Sequence, residues 1–149
     1  MELKSQKIKV IIPAYNEEDS IAKVINDIPS NVDEIIVVSN NSTDKTYENA
    51  ARAGATVLKE NRKGYGYACL QGMKYIANLE KNELPNIIVF LDGDYSDYHE
   101  QLTELVSPII KDNIDFVIGS RVHELREAVS MTPQQIVGNW LATFLMKVF

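Results

Sequence analysis

Short apolar runs recur along the chain, and this recurrence limits the possible folds more than any other feature. Each run has the length of a strand, and most are continuous rather than alternating with polar residues. Continuous runs are typical of strands buried on both faces, as in parallel sheets. The sequence therefore predicts a mainly parallel sheet with strands at residues 8–12, 34–38, 55–58, 86–91 and 115–118.

Helical patterns separate these runs. Asn16 and Ser42 are candidate N-caps for the first two helices, and Gly54 is suited to end the second. Pro108 is expected to kink the fourth helix or end it early, because proline lacks the N–H that an interior helical position donates. Strand–helix repeats with right-handed crossovers predict a three-layer, Rossmann-like α/β fold. The predicted helices span residues 17–28, 43–53, 66–79 and 99–111.

The composition is that of one globular domain and excludes several functional classes. The 149 residues are 45% apolar and carry a net charge of -6, so we expect no nucleic-acid partner. Cys69 is the single cysteine, which excludes a disulfide framework within the chain and fits a reducing compartment. The sequence shows neither a leader pattern nor the apolar stretch of about 20 residues that spans a bilayer. The expected location is cytoplasmic.

Residues 133–149 differ from the rest of the chain. Between Ile136 and Phe149, apolar residues recur with helical spacing and form a broad face. One interpretation is an ordinary core helix within a single domain of residues 1–149. The other is a helix that lies on a membrane surface or against a missing part of the protein. In the second case, isolated copies of the chain are expected to associate through residues 136–149.

The segment Asp92-Gly93-Asp94 follows the fourth apolar run directly. Two carboxylates one residue apart, where a buried strand reaches the surface, can share Mg²⁺ or Mn²⁺ and present it to the phosphates of a ligand. Asp-Gly is also common in turns, but a turn does not require the second aspartate. The pair therefore predicts a metal site formed by Asp92 and Asp94.

Polar clusters also follow the other predicted strands. Ligands of open α/β sheets bind beyond the carboxyl ends of the strands, so these clusters are expected to line one nucleotide pocket. We predict that the first two clusters contact the base and ribose, and that Lys63 and Arg121 contact phosphate. An alternative is that Asn16 and Ser42 only cap helices. The clusters are Pro13, Ala14, Tyr15, Asn16 and Glu17; Ser39, Asn40 and Asn41; Lys63 and Gly64; and Arg121.

These segments resemble the family-2 glycosyltransferases, which have the GT-A fold and transfer a sugar from a nucleotide diphosphate with inversion. Residues 10–18 are similar to the opening strand and nucleotide loop of that family, and Asp92-Gly93-Asp94 to its metal-binding DxD motif. Residues 61–64, followed by Gly72, resemble its diphosphate segment, and residues 117–121 resemble its polyprenyl-phosphate sugar synthases. The resemblance implies a UDP- or GDP-linked donor, a polyprenyl or dolichyl phosphate acceptor, and a full-length enzyme held at the membrane surface.

Two departures from the family pattern matter. The family usually has Asp-Asp-Gly-Ser after its second strand, whereas this chain has residues 39–42 as Ser-Asn-Asn-Ser. An amide both donates and accepts hydrogen bonds, whereas a carboxylate only accepts, so base selectivity stays open. The chain also stops at Phe149, where the polyprenyl-phosphate branch usually continues, so it resembles a truncated enzyme.

The implied reaction breaks the bond to the diphosphate, and catalysis depends on stabilising that leaving group. Asp94 is expected to bind the metal, Asp92 to assist it or to bond the ribose, and Lys63 and Arg121 to add positive charge. A phosphate acceptor is already anionic and needs no general base.

Three other functions compete with this one. A glycosyltransferase acting on a sugar hydroxyl would need a carboxylate base, and a binding module would hold the nucleotide sugar without turnover. An aspartyl phosphatase also has an Asp-x-Asp segment after a strand, but after the first strand of its domain rather than the fourth.

Overall fold

A computed structural model describes residues 6–119 of the chain. Nearly all of them belong to one compact unit, Met1–Val117, and a second unit comprises Ile118–Phe149. The predicted helix within residues 133–149 lies outside the described residues. Whether the chain forms a single domain therefore stays a prediction.

Four parallel strands form the central sheet of the described chain. They are β1 (Ile8–Ala14), β2 (Glu34–Asn40), β3 (Thr56–Glu60) and β4 (Ile87–Phe90), and their order is β3-β2-β1-β4. All three pairings are parallel, so the carboxyl ends of the strands lie together at one end of the sheet. This arrangement confirms the predicted parallel sheet and four of its five strands.

The fifth predicted strand, at residues 115–118, is wrong. Residues 113–119 contain no strand, and the side chains of Phe116 and Ile118 are 76% and 73% exposed. A strand needs a neighbouring strand to pair its backbone N–H and C=O groups. None of the described strands pairs with this run, so its apolar character alone does not make it a strand.

The helices lie between the strands, but the first two begin later than predicted. They are α1 (Ile21–Asp27), α2 (Thr46–Arg52), α3 (Tyr65–Ala77) and α4 (Leu102–Asp112), with a short 3-10 helix, His99–Gln101, before α4. The N-cap positions of α1 and α2 are Ser20 and Lys45 rather than Asn16 and Ser42. The capping predictions for Asn16 and Ser42 are therefore wrong.

The ends of α2 and α4 show two ways of stopping a helix. Gly54 has a φ of 95°; its N–H donates to the Ala51 carbonyl, and the Ala55 N–H donates to the Ala50 carbonyl. This Schellman arrangement confirms the predicted role of Gly54. In contrast, α4 continues through Pro108 to Asp112, and its C-cap Asn113 has a left-handed φ of 56°. Of the two effects expected of Pro108, the early end is therefore wrong, and the kink stays a prediction.

Helices cover both faces of the sheet, which confirms the three-layer fold. On one face, β1 side chains such as Val10 and Ile12 pack in the same core as residues of α1, α2 and α4. On the other face, Ile11 packs with residues of α3. Helix α3 approaches β1 so closely that a Cβ added at Gly72 would lie 2.7 Å from Cγ2 of Ile11.

Candidate functional site

The carboxyl ends of β1, β2 and β4 form a cleft together with the start of α3. The predicted site includes all of the residues that line this cleft except Tyr65 and Ala68. Asn16, Ser39, Asn41, Lys63 and Gly64 belong to the predicted site but do not line the cleft, and Arg121 lies outside the described residues. The lining residues are Pro13, Ala14, Tyr15, Glu17, Asn40, Tyr65, Ala68, Asp92, Gly93 and Asp94.

The loop after β1 is tied to the loop after β2 by polar contacts. The backbone N–H of Asn16 donates to Oγ of Ser42 at 3.2 Å, and the N–H of Thr43 donates to Oδ1 of Asn16 at 2.9 Å. Asn16 has a left-handed φ of 53°, which asparagine adopts more readily than most residues. The Asn16 side chain thus joins two loops beside the cleft.

Asp44 completes this connection between the loops. Its Oδ2 accepts from the backbone N–H of Glu18 at 3.1 Å, and its Oδ1 accepts from the N–H of Thr46 at 3.0 Å. The Thr46 hydroxyl in turn accepts from the backbone N–H of Glu17 at 2.7 Å. Burial raises the pKa of Asp44, but hydrogen bonds from the Thr46 hydroxyl and from the N–H groups of Thr46 and Glu18 outweigh it, so the pKa lies below its usual value. The charged carboxylate therefore organises this wall of the cleft before a ligand arrives.

Asn40 holds the loop after β3 in place. Its side-chain Nδ2 donates to the carbonyls of Arg62 at 2.7 Å and Glu60 at 3.3 Å, while Oδ1 accepts from the N–H of Gly64 at 2.9 Å. Both amide hydrogens are therefore used by the protein itself. This buried side chain fixes the backbone that carries Lys63 beside the cleft.

The two cations of that loop differ in their surroundings. Nη2 of Arg62 lies 2.6 Å from Oε2 of Glu60, and its guanidinium lies 4.6 Å from the ring centre of Tyr67. Hydrogen bonds from Arg62 lower the pKa of Glu60 to about 2. Lys63 makes no ion pair within the described part of the chain. Lys63, rather than Arg62, is thus the cation of this loop with charge to offer an anionic ligand.

The acidic loop after β4 is held from several directions. The Tyr65 hydroxyl donates to Oδ1 of Asp92 at 3.1 Å, and the Ser20 hydroxyl donates to the Gly93 carbonyl at 2.7 Å. Oδ1 of Asp94 accepts from the backbone N–H of Ser96 at 3.0 Å. These contacts hold both predicted metal ligands at the carboxyl end of β4, beside that of its neighbour β1.

No sequence pattern pointed to Tyr65, Ser20 or His99 as residues of the site. His99 is buried, with Nε2 3.5 Å from the Asp92 carbonyl, and its Nδ1 has no hydrogen-bond partner in the described structure. Tyr65 lies between Gly64 and Gly66, which favour a phosphate-binding loop, but these glycines do not predict a role for a tyrosine. All three residues act on the acidic loop from elsewhere in the fold, so only the folded arrangement identifies them.

The donor set of the cleft fits a cation that arrives with phosphates. Within residues 6–119, no group of three or more histidine, cysteine, aspartate or glutamate side chains is arranged to hold a metal ion. Mg²⁺ is commonly bound by one or two carboxylates, with substrate phosphates and water completing its shell. Asp92 and Asp94 provide such a pair. None of the described helices is both long enough and apolar enough to span a bilayer.

Solved structures share this fold. Glucosyl-3-phosphoglycerate synthase from Mycobacterium tuberculosis, in complex with Mn²⁺, UDP and glucosyl-3-phosphoglycerate, is 31% identical and superposes with a TM-score of 0.60. The match covers 74% of this chain and 43% of the synthase chain. A structure of the same synthase contains Mg²⁺ and UDP. The likeness confirms the GT-A fold.

Comparisons of the sequence also identify glycosyltransferases as relatives. RfbJ of Shigella flexneri is 38% identical over 119 residues, which cover 78% of this chain and 87% of RfbJ. The UDP-N-acetylglucosamine–dolichyl-phosphate N-acetylglucosaminyltransferase of Methanococcus voltae is 31% identical over 157 residues, covering 93% of this chain and 61% of the relative. The model of the family described as glycosyl transferase family 2 matches residues 9–148. The chain therefore belongs to glycosyl transferase family 2.

Proposed function

We propose that this chain is the donor-binding part of an inverting glycosyltransferase that transfers a sugar from a UDP- or GDP-linked donor to a polyprenyl or dolichyl phosphate. The observation that carries the proposal is the cleft, which brings the acidic pair Asp92 and Asp94 to the same sheet edge as the loops after β1 and β2. The relative from M. voltae, by its name, uses a UDP-linked sugar and dolichyl phosphate.

The nucleoside would lie against the loops after β1 and β2. Pro13 to Glu17 and Ser39 to Asn41 flank that side of the cleft, and the exposed ring of Tyr15 offers a surface on which a base can pack. The hydrogen bonds between these loops fix the wall in advance, which reduces the ordering cost of binding. Both UDP and GDP remain candidate donors, because amides follow β2 where the family usually has carboxylates, and an amide can both donate and accept hydrogen bonds.

The diphosphate would lie between the acidic loop and the loop after β3. Asp94 would bind the cation directly, while Asp92 would assist it or bond the ribose. Bound Mg²⁺ or Mn²⁺ would offset the negative charge that develops on the leaving diphosphate. Lys63 and Arg121 would add positive charge, and the backbone at Gly64 allows close approach to the phosphates.

A phosphate acceptor fits the residues of the cleft. The attacking oxygen of a polyprenyl phosphate is already anionic, so the reaction needs no general base. Such an acceptor would bring the full-length enzyme to the cytoplasmic surface of a membrane. Residues 133–149 would then provide a helix for that surface or, in its absence, for self-association of the chain.

Calorimetric titration with UDP and with GDP, each with and without Mn²⁺, tests the donor site. We expect Mn²⁺ to strengthen nucleotide binding and Asp94→Ala to weaken the Mn²⁺-dependent affinity by about 100-fold, or about 2.7 kcal/mol. Asp112→Ala, which removes an exposed carboxylate at the end of α4, serves as the control and should bind like the wild type.

Equal nucleotide affinity with and without Mn²⁺, or full affinity in Asp94→Ala, would refute the metal role. The acceptor is tested separately with the full-length protein and a radiolabelled donor. Transfer to dolichyl phosphate in detergent supports the proposal, whereas transfer only to a sugar hydroxyl would replace it with the competing enzyme function.

A further inference from the structure

Two tyrosines in the first turn of α3 make different contacts. The ring of Tyr67 lies against the guanidinium of Arg62 in the loop after β3. Tyr65, in contrast, lines the cleft and donates its hydroxyl hydrogen to Oδ1 of Asp92 at 3.1 Å. Tyr65 is 57% exposed, so burial of its ring in the core does not explain its place in the fold. Its hydroxyl is the part with a specific partner.

Contacts from Ser20 and His99 reach the backbone around Asp92 but not its carboxylate. The Ser20 hydroxyl holds the carbonyl of Gly93, and Nε2 of His99 lies near the carbonyl of Asp92. Neither contact reaches the carboxylate, whereas the Tyr65 hydroxyl does. An ionised carboxylate accepts through both oxygens, so a donor on Oδ1 leaves Oδ2 for another partner.

The chemical state of Tyr65 suits a donor. A tyrosine hydroxyl has an ordinary pKa of about 10. The hydroxyl therefore keeps its proton at neutral pH and donates to the carboxylate. A donor held on the rigid start of a helix orients its acceptor at little entropic cost.

We propose that Tyr65 is a positioning residue, which holds Oδ1 of Asp92 and so directs Oδ2 toward the cation or ribose of a bound nucleotide. The proposal rests on the proposed function, because it needs a nucleotide in the cleft. Tyr65 acts through Asp92 and does not itself bind the ligand. Its effect on binding must therefore disappear when Asp92 is removed.

A double-mutant cycle tests this dependence. Calorimetry with UDP and with GDP in the presence of Mn²⁺ compares the wild type, Tyr65→Phe, Asp92→Ala and the double variant. We expect Tyr65→Phe to weaken nucleotide affinity about threefold to tenfold, since it removes a hydrogen bond to a charged acceptor but keeps the ring. In the Asp92→Ala background, the same substitution should change affinity by less than about twofold. Tyr67→Phe is the matched control and should bind like the wild type.

The outcomes separate this inference from the proposed function. Full affinity in Tyr65→Phe, or an equal loss with and without Asp92, overturns the positioning role. If Asp94→Ala still weakens the Mn²⁺-dependent affinity by about 100-fold in that case, the proposed function stands alone. If the wild type binds neither nucleotide, both proposals fail. Thermal unfolding of each variant shows whether a lost affinity reflects lost structure.

Discussion

The two ends of the sheet use polar side chains in opposite ways. At the amino end, Lys9 is 7% exposed and pairs with Glu34, which also accepts hydrogen bonds from Thr56 and Tyr75. Those groups satisfy one another and join β1, β2, β3 and α3. At the carboxyl end, within the part of the chain that the structure describes, Lys63 makes no ion pair and only one carboxylate oxygen of Asp92 accepts a hydrogen bond. The difference separates a structural cluster from a binding site.

Residue type alone does not make this distinction. Both ends contain carboxylates, a lysine and a tyrosine, and both lie next to buried strands. What differs is the hydrogen-bonding capacity that the protein leaves unused. A buried charge without a partner is costly, so the amino end pairs its charges fully. A binding site keeps some capacity for its ligand, and it lies where water or the ligand can meet that need.

Breaking the amino-end network should produce the largest loss of stability. Lys9→Ala leaves the carboxylate of Glu34 without its charged partner, and breaking such a pair typically costs about 3–5 kcal/mol. Chemical denaturation should show this loss, while nucleotide affinity stays within about twofold of the wild type, a change under about 0.4 kcal/mol. Lys74→Ala, at an exposed position of α3, is the control. A cost no greater than that of Lys74→Ala would contradict the structural role.

The pH dependence of stability checks the same network. Burial raises the pKa of Glu34, but hydrogen bonds from Lys9, Thr56 and Tyr75 outweigh it, so the pKa lies below 4.5. The stability that this carboxylate contributes is fully present above pH 4.5 and is lost as the pH falls through its lowered pKa. We expect Lys9→Ala to weaken this acid sensitivity.

Two glycines of α3 should differ in how much a substitution by alanine costs in stability. Gly72→Ala would place a Cβ 2.7 Å from Cγ2 of Ile11, and such overpacking typically costs about 1–3 kcal/mol. Gly66→Ala is the matched control in the same helix, because a Cβ there meets nothing within 4 Å. Denaturation should show a loss for Gly72→Ala and a gain of about 0.5 kcal/mol, or no change, for Gly66→Ala. Equal stability of the two variants would show that α3 can move away from β1.

The sequence predicted the sheet well, because burial on both faces produces continuous apolar runs that are visible locally. The prediction of a strand at 115–118 was wrong because a strand also requires a neighbouring strand to pair with, which a local pattern does not reveal. The predicted starts of α1 and α2 were wrong for a related reason. Asn16 and Asp44 bond across two loops, and those contacts join residues more than twenty positions apart.

The candidate site was predictable to the extent that a parallel sheet brings its carboxyl ends together. This rule gathered Tyr15, Asp92 and Asp94 around one cleft. It did not reveal Tyr65, which enters from a helix start. Nor did it show that the side-chain amide of Asn40 bonds to the end of β3 and to the loop after it, because that depends on where the Glu60 and Arg62 carbonyls and the Gly64 N–H lie.

Asn40 combines features of both ends of the sheet. It lines the cleft, yet its side chain is hydrogen-bonded to the protein backbone. Asn40→Ala removes three hydrogen bonds, which join Asn40 to the Glu60 and Arg62 carbonyls and to the Gly64 N–H. We expect a stability loss of about 1 kcal/mol. Because Lys63 and Gly64 lose their anchor, nucleotide affinity should fall only about threefold, or about 0.7 kcal/mol.

The size of the binding effect distinguishes two roles for Asn40. A residue that holds the phosphate loop weakens binding modestly and lowers stability as well. A residue that contacts the base directly would instead weaken UDP and GDP binding unequally, and it would leave stability nearly unchanged. Asn78→Ala is the control, since its amide donates to the Lys74 carbonyl at the far end of α3. A large loss of affinity for one nucleotide, with wild-type stability, would therefore assign Asn40 to the ligand and not to the loop.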